Sequence, residues 1–230
     1  SVMKKIQKII FTLIYTLFVM AAGFSVNKTW TGTASVDWHT HGNWLPSGVP
    51  NAGDDVVIPN TTNKPEITNN NVSIKSLTIA SGAKLTIKNN KTLTLSGVFT
   101  NNSGTLDADT NTTVIFNGND SQIRGSATTF ANLTIASGKT LTLHSDIKIS
   151  GTFTKNGGFY ANNNTTVTFT NLTSTITAPV NSEPTFWNLT IAGSAGLQLG
   201  SNIKVAGTFT NNGSFTHNSK AVTFVGFGSK

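Results

Sequence analysis

The residues best placed to do chemistry lie in "DWHTH", Asp37–His41. In an extended chain Asp37, His39 and His41 project from one face, and an H-x-H pair beside a carboxylate is a donor set that suits zinc or copper. Trp, Gly and Pro crowd the same segment, where histidines commonly serve packing or the surface. The trio is therefore a weak metal candidate, and no cofactor is expected. Asp54 and Asp55 are adjacent, so a strand would point them to opposite faces, whereas glycoside hydrolysis wants two carboxyls on one side, roughly 5–9 Å apart. Asp107 and Asp109 do share a face, which suits calcium with Asn nearby; solvation of an outer strand is the expected role. Arg124 is the chain's one arginine and cannot by itself assemble the bases and acids of a lyase site. The G-x-S-x-G pattern and phosphate-cradling loops are missing. No catalytic residue is expected, and the chain reads as a non-enzyme.

The elements that would carry these residues are set by repetition. "SLTIA" at Ser76–Ala80 returns as "NLTIA" at Asn132–Ala136 and at Asn188–Ala192, 56 positions apart each time. Further anchors follow: Leu85, Leu141 and Leu197; "SGVFTNN", "SGTFTKN" and "AGTFTNN"; then "VIF", "VTF" and "VTF". Within each, apolar residues alternate with Thr, the period-two mark of a strand over a core. Short turns such as "ASGK" and "NNGS" punctuate them, and no window beyond the first residues has helical spacing. Near-identical strands at a long fixed period predict stacked coils, the logic of a solenoid. A period of 56 fits three coils of 18–19 residues or two of 28, with three preferred. Stacking then predicts Leu77, Leu133 and Leu189 in one interior column, with Thr and Asn forming outer ladders. Phe99, Phe153 and Phe209, like Phe116, Phe169 and Phe224, are expected as stacked core rings. Trp187 replaces Lys75 or Ala131 of the other copies, and reads as local packing before a sugar-stacking spot.

Composition narrows the class. "MKKIQK" followed by "IIFTLIYTLFVMAAG" reads as a signal peptide over residues 1–23. The apolar run of about 15 residues is short of the roughly 20 that span a bilayer, so no membrane span is expected after its removal. Loss of Lys4, Lys5 and Lys8 takes the formal charge from +7 to +4, and the other lysines are scattered. Nucleic acid is therefore not an expected partner. There is no cysteine, so an exported fold must hold by burial and backbone pairing alone.

The run "LTIASGKTLTL" with "SGTFTKNGG" resembles the β-helical stalks of secreted repetitive surface proteins of Gram-negative bacteria, filamentous-haemagglutinin-like and autotransporter-passenger-like. Thr29–Pro59, through Trp30, Trp38, Asn43, Trp44, Pro50, Asp54, Asp55 and Ile58, is similar to the opening segment of such proteins. The resemblance implies an all-β, right-handed parallel β-solenoid (β-helix) on the bacterial cell surface. It also implies a Trp-rich N-terminal cap over residues 24–59 and three repeats of about 56 residues over 60–230. The expected function is that of an extracellular structural or adhesive protein, a stiff stalk or a filament-forming subunit. A carbohydrate-binding or polysaccharide-degrading β-helix is the alternative. Expected partners are a second copy, stacked head to tail, or host and surface glycans. The C-terminal edge, with Val222, Phe224 and Phe227, is the candidate for self-assembly; a longer stalk, a head-to-tail fibre and a monomer capped by its last residues all fit it.

Overall fold

A computed structural model describes residues 26–226; the expected signal peptide and Phe227 lie outside them. Among these residues the regular structure is all β-strand apart from one single-turn helix at His41–Asn43, with short turns between the strands. Setting aside two strands of the N-terminal segment and the final one, twenty-four strands wind as eight coils of three. The first coil is Asp55–Ile58, Glu66–Ile67 and Val72–Ile74, and its three strands define faces one, two and three. The eighth is Ile203–Val205, Phe209–Asn211 and Ser214–Thr216. Every coil pairs in parallel with its neighbours, so the molecule is a parallel β-solenoid. Face three is one continuous eight-stranded sheet. Face one changes sheet after Gly158–Ala161, where the loop 178–184 precedes the strand Thr185–Phe186, and face two changes after Thr105–Ala108.

The register corrects the expected layout of the repeat. Coils vary in length: Phe159 lies on Leu141, 18 residues before it, while Ile123 lies on Phe99, 24 before it. The five-residue word opens the strands Ser76–Ile79, Asn132–Ile135 and Asn188–Ile191, and successive copies are eight strands apart. Eight strands make two coils and two-thirds. Leu77 therefore falls on face one, Leu133 on face three and Leu189 on face two, rather than in one column at three coils per repeat. All three leucines are nonetheless fully buried.

What the repeat conserves is the neighbourhood of each residue, not its face. Leu77 lies between Val56 and Phe99, Leu133 between Val114 and Phe153, and Leu189 between Val167 and Phe209. Outside, Thr78 pairs with Thr100, Thr134 with Thr154 and Thr190 with Thr210, which are the expected Thr ladders. The phenylalanines do not stack by repeat. Phe99 meets Phe130 at 5.6 Å, Phe153 meets Phe159 and Phe186, and Phe209 meets Phe215 at 5.3 Å. Each fully buried Leu or Ile contributes roughly 1.5–3 kcal/mol relative to exposure, in a single apolar core that runs from Trp30 to Val205.

The residue opening each word ties coils together at a corner. Asn132 Oδ1 accepts from the Thr152 amide at 2.8 Å, Asn188 Oδ1 from Thr208 at 2.9 Å, and Ser76 Oγ from Val98 at 3.2 Å. This close approach explains the glycine of "SGTFT". A Cβ on Gly151 would sit 2.5 Å from Asn132 Oδ1 and 2.8 Å from the Ala131 carbonyl oxygen.

The N-terminal segment closes one end of the core. Asn27–Trp30 extends face one as a parallel strand, and Trp44–Leu45 pairs antiparallel beyond it. Residues 36–38 pair with Glu66 on face two. Trp44 meets Trp30 at 5.0 Å and Trp38 at 4.6 Å, both edge to face, and all three rings are buried. Trp30 donates to the Asn63 carbonyl and Trp44 to that of Trp38. Asn43, fully buried, accepts from the Ala34 and Ser35 amides and donates to Asp37.

One repeat position carries an interior cation. Asn101, Lys155 and Asn211 are equivalent, and each lies beside an interior isoleucine of the preceding coil. Asn101 bonds to Thr128 Oγ1 and to the Gly104 amide. Lys155, 7% exposed, gives its ammonium to Ser182 O and Oγ and so pins the 178–184 loop. Burial pushes the Lys155 pKa below its ordinary 10.5, partly opposed by the Glu183 carboxylate.

Two outcomes are expected. Gly151→Ala should lose about 1–3 kcal/mol through overpacking. Gly193→Ala, whose Cβ would meet nothing within 4 Å, should stay within about 0.5 kcal/mol; equal denaturation midpoints would refute the corner constraint. For Lys155, both folded and unfolded states hold the proton below the folded pKa, and the full cost of burial is present. Between that value and 10.5 only the unfolded chain holds it, so the cost fades as pH rises. The Tm of the wild type minus that of Lys155→Asn should therefore rise toward alkaline pH, and a constant difference would refute the assignment.

Candidate functional site

The structure disperses the residues that the sequence offered for metal or acid chemistry. Asp37–Thr40 forms a turn instead of an extended strand, closed by Thr40 N donating to Asp37 O at 3.2 Å. The Asp37 carboxylate accepts from the His39 amide and the Thr40 hydroxyl, and His39 Nδ1 lies 3.5 Å from Asp37 Oδ1. The one-face projection of Asp37, His39 and His41 is thereby lost, because the side chain of Asp37 is spent on its own turn. Among the described residues no three His, Cys, Asp or Glu gather as a metal site. Asp54 is buried and accepts from the Val26 and Asn51 amides and from Asn51 Nδ2, while Asp55 pairs with Lys75 at 3.0 Å. Asp107 pairs with Lys84 at 2.5 Å, and Asp109 accepts from the Asn89 amide. Both lie in the third coil on face two, four coils away from Trp187 at the face-one to face-two corner of the seventh.

The three outer faces differ in chemistry. Face three reads Ser73, Thr92, Thr94, Thr113, Ile115, Asn132, Thr134, Thr152, Thr154, Thr175, Thr177 and Gln198 outward, with no charge among them. The first three coils of face two carry matched charges, Lys84 with Asp107 and Lys88 with Glu66 at 3.9 Å, while Lys148 stands outward further along without an ion pair among the described residues. Face one bears a patch that sequence reading did not select. Gln122, Thr142 and Tyr160 stand in one file across three coils. Two positions further along the same strands come Arg124, His144 and Asn162. Arg124 donates Nε and Nη2 to Gln122 Oε1, the first at 2.7 Å, and Asn162 Nδ2 lies 2.8 Å from His144 Nδ1. Tyr160 is 60% exposed and leans along the sheet over Gly158, whose Cβ would meet its ring edge at 3.3 Å.

The signal that could have found this patch is departure from the repeat. The position of Tyr160 is held by Asp107 in the first copy and Thr216 in the third, and that of His144 by Lys88 and Gly200. Only the middle copy places an aromatic ring among planar hydrogen-bonding groups.

The edge named from sequence is present as far as it is described. Among the described residues Val222–Phe224 pairs only with Ile203–Val205, and Phe224 is 62% exposed. Phe209 and Phe215 of the eighth coil are partly buried against the core. On face one of the same coil, Lys204 pairs with Glu183 of the 178–184 loop at 3.7 Å. A backbone hydrogen bond, then Lys204 and Asn202, holds its carboxyl below the usual range. No helix among the described residues is long and apolar enough to cross a membrane.

Residues 29–129, the N-terminal segment and the first coils, match the model of a family described as a domain of unknown function (DUF8693). Neither the curated proteins nor the solved structures yield a match.

Proposed function

We propose that this chain is an extracellular structural or adhesive element, a stiff β-solenoid stalk or filament-forming subunit on the surface of a Gram-negative bacterium, and not an enzyme. The observation that carries the reading is the uninterrupted apolar core through eight in-register coils. At about 4.8 Å per coil the stack is a rod of roughly 38 Å. Bending or shearing such a rod breaks many backbone hydrogen bonds together, which suits a load-bearing spacer. The dispersed acids are committed to ion pairs and turns. The "LTIASGKTLTL" resemblance to filamentous-haemagglutinin-like stalks points the same way. The exposed Tyr160 patch favours adhesion over a purely mechanical role.

In the filament form, Val222–Phe224 of one copy meets the N-terminal end of the next, a heterologous contact that does not close. Antibody raised against the solenoid should label intact cells; labelling only after permeabilisation would overturn the surface reading. Purified protein should lengthen into fibres with concentration under the electron microscope, and Phe224→Lys should abolish them. Monodisperse wild-type particles at every concentration would remove the filament form and leave the stalk.

A further inference from the structure

We propose that the face-one patch of Tyr160, Arg124, Gln122, His144 and Asn162 is a subsite for the carboxylated sugar of an acidic polysaccharide. The inference gives the adhesive reading above its partner and rests on display of the solenoid outside the cell.

The charge pattern selects the ligand. Lys75, Lys84, Lys88 and Lys204 each face a carboxylate. Arg124 does not, and neither do Lys64 and Lys139, which bond to asparagine side-chain oxygens. What sets Arg124 apart is a planar guanidinium held through two of its nitrogens by the neutral amide oxygen of Gln122. The guanidinium is thus fixed in place through Nε and Nη2 while its charge stays unmatched. A fixed, unneutralised fork is suited to a carboxylate, whose two oxygens accept charge-assisted bonds in the same plane. At the equivalent position of the first repeat the same strands are neutralised internally through Glu66–Lys88 and Asp107–Lys84.

The neutral part of the ligand is selected by Tyr160. One edge of its ring lies beside Gly158, and the side chain is 60% exposed. It therefore offers an apolar platform with a polar tip, and a pyranose ring presents the matching C–H face. His144 and Asn162, already bonded to each other, supply further donors and acceptors toward ring hydroxyls. From Gln122 to Tyr160 the patch spans two coil steps, about 10 Å, a span that seats two sugar units. A lone aromatic among planar polar groups lacks the apolar surround of a protein hot spot and the basic stripe of a nucleic-acid surface.

The test is affinity electrophoresis of the whole mature chain through gels holding polygalacturonate, alginate or dextran. Polygalacturonate or alginate should retard the wild type, dextran should not, and added salt should weaken the retardation. Tyr160→Ala and Arg124→Gln should each weaken it about tenfold, equivalent to 1.4 kcal/mol. Lys84→Gln, on face two, should leave it unchanged. Circular dichroism of each variant separates lost binding from lost fold. No retardation by either polyuronate, equal retardation by dextran, or folded Tyr160 and Arg124 variants that match the wild type would each overturn the subsite. Those outcomes leave surface display standing, because cell labelling tests it separately.

Discussion

The whole molecule depends on parallel backbone pairing between consecutive coils. Successive residues of a strand turn their amide and carbonyl to opposite neighbours, as when the Asn188 amide donates to the Thr165 carbonyl of the preceding coil and the Leu189 amide to the Thr208 carbonyl of the next, so three strands per coil can never drift in register independently. Interior side chains are then forced into files about 4.8 Å apart, and only residues that fill such a file without polar remainder fit. That is why Val, Leu, Ile and Phe take most inward positions, and why polar residues placed inward, such as Asn101 and Lys155, are each hydrogen-bonded, Asn101 to Thr128 and Lys155 to Ser182 of the 178–184 loop. With no cysteine in the chain, this pairing and the core it encloses are the entire source of cohesion. The ends are where the pairing stops, and the Trp30–Trp38–Trp44 cluster answers that at one of them.

Strand, turn and solenoid were legible because they are local. Leu133-Thr134-Ile135 alternates, "ASGK" turns, and each copy of the word carries the same sides in and out. The path of a coil was not legible, because it depends on how many strands close one circuit. Residue spacing alone does not count strands when loops such as 178–184 or the stretch around Gly125 change the length of a circuit. Eight strands per repeat against three per coil is the result. The leucines expected in one column stand on three faces while keeping identical neighbours.

The candidate chemistry was legible to a different degree. Asp37, His39 and His41 looked convergent only on the premise of an extended chain, and the Asx turn at Asp37 removed it. Adjacency alone showed that Asp54 and Asp55 do not form a one-sided acidic pair, but not that Asp54 is the buried acceptor that fastens Val26 and Asn51. Tyr160 departs from the repeat, but the departure alone carries little weight because an outward strand position accepts nearly any residue. It stands out only once the fold shows which side chains of neighbouring coils share its surface.

The mismatch between repeat and coil has a consequence for how such a rod grows. A copy of the repeat advances along the axis by about 13 Å and is turned by a third of a circuit relative to the last. Any surface feature that the duplicated segment carries is thereby distributed as a spiral, and only every third copy returns to the same side. A rod lengthened this way presents its features to all directions around its axis. A repeat of whole coils would have lined them along a single side.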